Sequence, residues 1–379
     1  MLPQREIFDL SVENKIEFFT VVPDSLMKDF CAVIEESAEK DKHVISANEG
    51  NAIALASGYH LATGKIGLVY MQNSGLGNAI NPLVSLADEK VYGMPMLLVI
   101  GWRGEDGVPD EPQHKKQGLI TLSLLDNLGI PYKVLSKEEE NIESMIFDLS
   151  KSIFEKNIPH AIVVREGAFE KHNRSNTSPD IEKNLLSREE ALEIVLEKIP
   201  KDGVVVSTTG KLSRELFELR EKRGEGHGND FLTVGSMGHS SSIALGIALA
   251  KPDKKVYCLD GDGASIMHLG SLAIIGQHSP QNFTHILFNN GSHDSVGGQP
   301  TASSIMDFVK IAEASNYNFA VKAVSKENII ESLDKINKIP GPNFIEIEIR
   351  NGARGDLGRP TRTPLENKQD FMEFLNDRE

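Results

Sequence analysis

The sequence predicts an α/β protein made of two similar parallel-sheet domains, and three observations carry that expectation. Short apolar runs rich in β-branched residues alternate with amphipathic stretches from end to end, the pattern of βαβ units whose sheets are covered on both faces. One polar stretch near the middle, residues 170–182 (EKHNRSNTSPDIE), interrupts the alternation. Two glycine pairs also recur at one offset, Gly58 with Gly246 and Gly75 with Gly263 (246 − 58 = 188; 263 − 75 = 188).

Taken in order, residues 68–71, 96–100, 161–164, 204–207, 256–259, 285–288 and 344–349 read as strands, and residues 25–39 and 188–198 as amphipathic helices. Ser187-Arg-Glu-Glu190 has the form of a capping box that opens a helix. The expected organisation is therefore a first domain over 1–169, a linker over 170–182 and a second domain over 183–379. The repeat supports two copies of one unit. NAIALASGYHLATGK leads to GLVYM and the loop QNSGLG, as SIALGIALAKPDKK leads to KVYCL and the loop DGDGAS.

Composition narrows the function. A chain of 379 residues can bury two ordinary cores. A formal charge of −15 argues against nucleic acid, which is held through a surplus of Lys and Arg. A small anionic substrate stays compatible, because a site needs only a few local cations. Cys31 and Cys258 lie in separate apolar stretches and read as small buried hydrophobes rather than a disulfide. The polar start lacks a signal-peptide core and no run is long enough to span a bilayer, so no membrane and a cytoplasmic location are expected.

The motif that carries chemistry is Asp260-Gly-Asp-Gly263, directly after the expected strand 256–259. Asn289-Asn290-Gly291 follows Asp262 by 27 positions (289 − 262 = 27), again after a strand. Ligands of open α/β sheets bind at such strand ends. A carboxylate and an amide oxygen suit Mg²⁺, and Gly263, Ala264 and Ser265 bring backbone N–H groups to a helix start where a phosphate can sit. Either turn alone is an ordinary Asp-Gly or Asn-Gly turn; the pair at this spacing is far more specific.

These residues resemble the diphosphate-binding signature of the thiamine-diphosphate-dependent decarboxylase family, which begins G-D-G and ends N-N. The resemblance implies that Asp262, Asn289 and the Gly291 carbonyl bind Mg²⁺, and that Gly263, Ala264 and Ser265 contact the cofactor's diphosphate. The stretch HVISANEGNAIALASGYHLATGK resembles the family's segment bearing the Glu that pairs with N1′ of the aminopyrimidine, here Glu49. Ser46-Ala-Asn-Glu49 also fits a capping box, in which Glu49 would merely cap its own helix. Gly235-Ser-Met-Gly238 resembles the loop that wedges an apolar residue under the cofactor; Met237 is that wedge or, otherwise, ordinary core filler.

The chain has no room for the middle domain that many members carry. With the segments around Asp24, Gly101–Gly104, Asp110–Gly118 and Gly291–Pro300, this implies the branch acting on 2-oxo acids with a second anionic group. The implied reaction is decarboxylation of 3-phosphonopyruvate to phosphonoacetaldehyde, with sulfopyruvate as the alternative substrate and a non-catalytic cofactor-binding protein as the non-enzymatic one. Asp24 and His114 would manage proton steps, unless Asp24 is only a helix N-cap and His114 a loop residue. Arg103, Lys115 and Lys116 are candidate cations for the phosphonate, Arg103 and Lys115 foremost. Arg354, Arg359 and Arg362 form a second basic cluster that could be a lid, a subunit contact or plain surface. The resemblance also implies a homodimer or larger, with cofactor sites at the subunit interface. A nicotinamide oxidoreductase is disfavoured, because Gly75-Leu-Gly77 continues to Ile80 where a third glycine is needed.

Overall fold

A computed structural model describes residues 2, 4–139, 141–172 and 184–376. The chain forms two compact units, Met1–Asn176 and Thr177–Glu379. Most of the expected linker, residues 173–182, lies outside the described residues. At its edge Phe169 bridges to Leu2, and the Glu170 N–H donates to the Leu2 carbonyl.

The first unit contains α1 (Gln4–Glu13), β1 (Ile16–Val21), α2 (Lys28–Ser37), β2 (His43–Ile45), α3 (Glu49–Thr63), β3 (Ile66–Gln72), α4 (Leu76–Pro82), β4 (Met96–Gly101), α5 (Pro112–Asn127), β5 (Tyr132–Leu135), α6 (Ile142–Lys156) and β6 (His160–Val164). Its six strands are all parallel, in the order β2-β1-β3-β4-β6-β5. α1, α2 and α6 bury an apolar cluster on one face, and α3, α4 and α5 bury another on the opposite face. Every residue of β4 is buried, as a central parallel strand covered on both sides requires.

The second unit contains α7 (Arg188–Lys198), β7 (Val204–Ser207), α8 (Lys211–Lys222), β8 (Asp230–Leu232), α9 (Ser240–Ala250), β9 (Val256–Gly261), α10 (Asp262–Met267), α11 (Gly270–His278), β10 (Phe283–Asn289), α12 (Phe308–Ala314), β11 (Phe319–Ala323), α13 (Lys326–Ile336), β12 (Asn343–Glu348) and α14 (Pro364–Asn376). Its parallel sheet has the order β8-β7-β9-β10-β12-β11. Numbered within each unit, both sheets run 2-1-3-4-6-5. The repeat read from the glycines is thus a repeat of topology, and among the described residues no third sheet lies between the two.

Local signals explain most boundaries. α7 opens on the Ser187/Glu190 capping box, with both reciprocal bonds made. α3 ends at Gly64 in the left-handed region, φ 70°. The second helix starts later than the sequence suggests, at Lys28 instead of residue 25, and Asp24 does not cap it. Four strands absent from the sequence reading, β2, β5, β8 and β11, are the four sheet edges. They are short and partly exposed, so they lack the continuous apolar run that marks a buried strand. β1, an inner strand, was also not anticipated. Neither cysteine forms a disulfide, and both are buried. No helix among the described residues is long and apolar enough to cross a membrane.

Candidate active site

In the first unit, three strand ends converge on the turn that follows β3. Glu49 is the first residue of α3 and is 6% exposed. Asn48 caps that helix by accepting from the Asn51 N–H, while Ser46 pairs with Thr20 at 2.7 Å. The alternative capping box is therefore not formed, and the Glu49 carboxylate is released from helix capping. It accepts instead from Asn78 Nδ2 at 2.8 Å and lies against Gly75, where any Cβ would overlap it.

Asp24 follows β1 and is 2% exposed. Its Oδ1 accepts from Gln72 Nε2 at 2.7 Å and from the Leu26 N–H, whereas its Oδ2 has no partner. A Cβ on Gly101, the last residue of β4, would collide with that Oδ2. Burial pushes the Asp24 carboxyl above its ordinary range, against the opposing pull of Gln72, Leu26, Arg103 and His114.

Asp110 is the residue the sequence reading missed here. Its carboxylate accepts from Arg103 Nε at 2.8 Å and Nη2 at 2.5 Å, from the Gly104 and Glu111 N–H groups, and from His114 Nδ1 at 2.8 Å. Burial pushes its pKa up, but these bonds outweigh burial and hold the carboxyl well below the usual range. The donor at Nδ1 leaves His114 Nε2 as the nitrogen that can exchange a proton. Arg103 also donates from its side chain to Ser25, and its backbone N–H donates to Asn73 Oδ1. Arg103 is thus a fixed, partly neutralised cation. Lys115 and Lys116 are exposed on α5. The loop closes on glycine: a Cβ at Gly118 would overlap the Gly104 carbonyl, and Gly104 has φ 71°. The i,i+4 spacing of Asp110 and His114 was the available signal.

In the second unit the Gly loop and the Asn loop come together. Asp262 opens α10 and is 2% exposed. Its Oδ2 accepts from Thr301 Oγ1 at 2.5 Å. Thr301 also donates its N–H to the Gly291 carbonyl at 3.0 Å. Asn289 ends β10, gives its amide N–H to Glu346 at 2.7 Å and accepts the Gly291 N–H on Oδ1. Glu346 therefore turns the Asn289 oxygen away from itself. Thr301, 39 residues after Asp262 (301 − 262 = 39), thus links Asp262 to Gly291, whose N–H is held by Asn289, a partnership no local spacing reveals. Burial raises the Asp262 carboxyl above its ordinary range, with Thr301 and Ser303 opposing; a cation among the Asp262, Asn289 and Gly291 oxygens would relieve that cost, so they fit Mg²⁺.

Gly263, Ala264 and Ser265 form the first turn of α10, and Ser265 Oγ is buried without a partner, as suits a diphosphate contact. Gly235 and Met237 lie in the turn before α9. Gly238 there (φ 84°) abuts the Ala264 carbonyl and the His268 ring, so this turn sits beside the Asp262 turn. Met237 is half-buried and lies outside the apolar clusters, which disfavours the core-filler reading. Beneath the motif, Asp260 pairs with His285 at 3.3 Å and His285 with Tyr317.

The tail arginines do not gather as free cations. Arg354 pairs with Glu189, Glu218 and Asp356, and Arg362 with Asp370. Arg214 on α8 donates to the Leu357 and Gly358 carbonyls. The segment is docked on α7 and α8.

With this geometry in place, comparison with known proteins is informative. The thiamine pyrophosphate enzyme N-terminal TPP binding domain matches residues 4–124, and the C-terminal TPP binding domain of the same enzymes matches residues 209–347. Phosphonopyruvate decarboxylase of Streptomyces viridochromogenes is 34% identical over 347 residues, spanning 88% of this chain and 85% of that protein. Phosphonopyruvate decarboxylase of Streptomyces hygroscopicus is 33% identical, spanning 89% and 85%. Sulfopyruvate decarboxylase of Methanosarcina acetivorans is 26% identical, spanning 99% and 98%.

Proposed function

The chain belongs to the thiamine pyrophosphate enzymes, and we propose that within this family it decarboxylates phosphonopyruvate to phosphonoacetaldehyde and CO₂, using thiamine diphosphate and Mg²⁺. One observation carries the reading: a single chain pairs an uncapping, buried Glu49 with the Asp262–Asn289–Gly291 donor set. The similarity in sequence and length to phosphonopyruvate decarboxylases supports the choice of substrate.

When bound, thiamine diphosphate would supply a nucleophilic carbon for the 2-oxo group and an electron sink for the pair left by CO₂. Glu49 holds the aminopyrimidine at N1′ and exchanges a proton there. Asp262 and Asn289 through side-chain oxygens, and Gly291 through its carbonyl, hold Mg²⁺. The N–H groups of Gly263, Ala264 and Ser265, with the Ser265 hydroxyl, take the diphosphate. Met237 wedges the cofactor and Gly235 shapes the wedge turn. His114, oriented by Asp110, delivers the proton that replaces CO₂, and Asp24 assists as a carboxyl that keeps its proton to higher pH than usual. Arg103 and Lys115 attract the phosphonate.

We further infer a homodimer or larger assembly working in the cytoplasm. Each unit leaves a small-residue apolar helix face exposed: Ala54, Gly58 and Leu61 on α3, and Ser242, Gly246 and Leu249 on α9, each pair 188 apart (242 − 54 = 188). Leu61 is 70% and Leu249 48% exposed, and a second copy would cover them.

Sulfopyruvate is the second reading, favoured by the near-complete span of the Methanosarcina relative. CO₂ release from phosphonopyruvate, sulfopyruvate and pyruvate, each with and without thiamine diphosphate and Mg²⁺, tests the choice. Preference for phosphonopyruvate is expected; preference for sulfopyruvate leaves the chemistry standing and overturns the substrate, and turnover without thiamine diphosphate overturns both.

A further inference from the structure

The loop after β10 is built more firmly than a connection requires. Asp294 is held by Arg188 at 3.2 Å and Lys211 at 3.1 Å, and Arg188 is itself paired bidentately with Glu215. Ser292 bridges to Pro300 as an antiparallel pair, and the His293 N–H donates to the Gln299 carbonyl at 2.8 Å. Gly291, Gly297 and Gly298 all take positive φ, the sharp reversals such a closed loop needs. Inside this frame Gln299 is 0% exposed, and neither its amide oxygen nor its amide nitrogen has a hydrogen-bond partner. Its amide lies against Gly297, where a Cβ would collide with it.

A fully buried primary amide with both ends unsatisfied is rare in a settled interior, because the chain gains nothing by burying it. Gln299 is also close in the chain to the donor set. Two residues on, Thr301 bonds Asp262 and Gly291. On the other arm of the loop, the His293 ring packs on Gly263, within 3.0 Å of where a Cβ would lie. The loop that holds this unsatisfied amide thus meets, through Thr301 and His293, the turn that the function above assigns to phosphate oxygens.

We propose that Gln299 is a binding residue for a phosphoryl-type oxyanion, its amide N–H groups donating to a tetrahedral phosphate or phosphonate oxygen. The inference rests on the decarboxylase reading. Two sources share this chemistry, the diphosphate of the cofactor and the phosphonate of the substrate, and the test separates them.

Gln299→Met keeps the volume and removes both polar ends. Its affinity for thiamine diphosphate would be measured calorimetrically in Mg²⁺, and KM for phosphonopyruvate at saturating cofactor. The variant is expected to melt at or above the wild-type temperature, since an unsatisfied amide is gone. A loss of about tenfold or more in cofactor affinity assigns the amide to the diphosphate; the same loss in KM alone assigns it to the phosphonate. If Gln299→Met does not fold, Gln299→Asn, which withdraws the amide by one methylene, is expected to show the same loss. Affinity and KM both within about twofold of wild type in a folded variant overturn the proposal and leave the amide to water. Failure of the wild-type protein to bind thiamine diphosphate would instead overturn the decarboxylase reading, and this inference with it.

Discussion

The two units share one strand order, yet their equivalent positions hold opposite kinds of chemistry. At the offset of 188, Glu49 corresponds to Met237, Ser74 to Asp262, and Gly101 to Asn289 (237 − 49 = 262 − 74 = 289 − 101 = 188). The end of β4 must be glycine because the Asp24 carboxylate occupies the space. The end of β10 carries Asn289, whose oxygen is turned outward by Glu346. In the first unit one anion, Asp110, orients two of the candidate side chains, Arg103 and His114. In the second the candidate groups are oxygens gathered by Thr301 and backbone N–H groups at a helix start. On the proposed function, one fold serves as a proton-handling half and a diphosphate-and-metal-holding half, and the difference lies in a few strand-end residues rather than in the sheets.

That division can be broken deliberately, and the largest effect is expected at Glu49. Glu49→Gln should lower kcat by roughly 10²–10⁴-fold, the range of a lost acid–base group. Thiamine diphosphate affinity should change far less, because the variant leaves the second unit intact. Titration of cofactor together with steady-state kinetics checks this; equal losses in both would mean that Glu49 only supports binding.

Thr301 is the complementary probe in the other half. Thr301→Val keeps the shape and removes the hydroxyl that orients Asp262. The Mg²⁺ concentration needed for half-maximal cofactor binding should rise about 10–100-fold, with activity recovering at high Mg²⁺. An unchanged metal requirement would remove Thr301 from the account.

Asp110→Asn tests whether one anion organises the first unit. An amide presents one acceptor oxygen where the carboxylate presents two, so it cannot keep both Arg103 bonds together with that of His114. We expect kcat to fall about tenfold to a hundredfold, with cofactor affinity unaltered. Normal turnover would show that His114 needs no orientation from Asp110.

The smallest effect concerns stability. The Asp24 carboxyl is raised by burial, so its contribution to stability is full below the unfolded value of about 3.9 and is lost as pH rises through the folded value. Asp24→Asn removes that loss. It should raise the melting temperature near neutral pH, by on the order of 2–4 °C for each kcal/mol relieved, and the gain should vanish towards pH 4. Activity should fall while stability rises, the usual exchange at a functional site. A melting temperature that drops at neutral pH would contradict the assigned cost of burying this charge.

The fold class was legible because central parallel strands are buried on both faces and therefore largely apolar, as β4 and the middle of β10 are. The edge strands β2, β5, β8 and β11 were not, since half-exposed segments carry mixed residues. The residues proposed for the site, Glu49, Asp262 and Asn289, stand out in the sequence because they lie at helix starts and strand ends, where local motifs constrain backbone as well as chemistry. Their partners do not. Thr301 and Glu346 act across 39 and 57 positions, and only the folded sheet brings them into register. Arg103 was legible as a cation but not as one already committed to Asp110.

The most direct test of the central claim is ³¹P NMR of phosphonopyruvate incubated with the wild-type protein, Mg²⁺ and thiamine diphosphate. The account predicts that the substrate resonance is replaced by that of phosphonoacetaldehyde, only with the cofactor present and not with Glu49→Gln. An unchanged substrate resonance from protein that has bound the cofactor would contradict it.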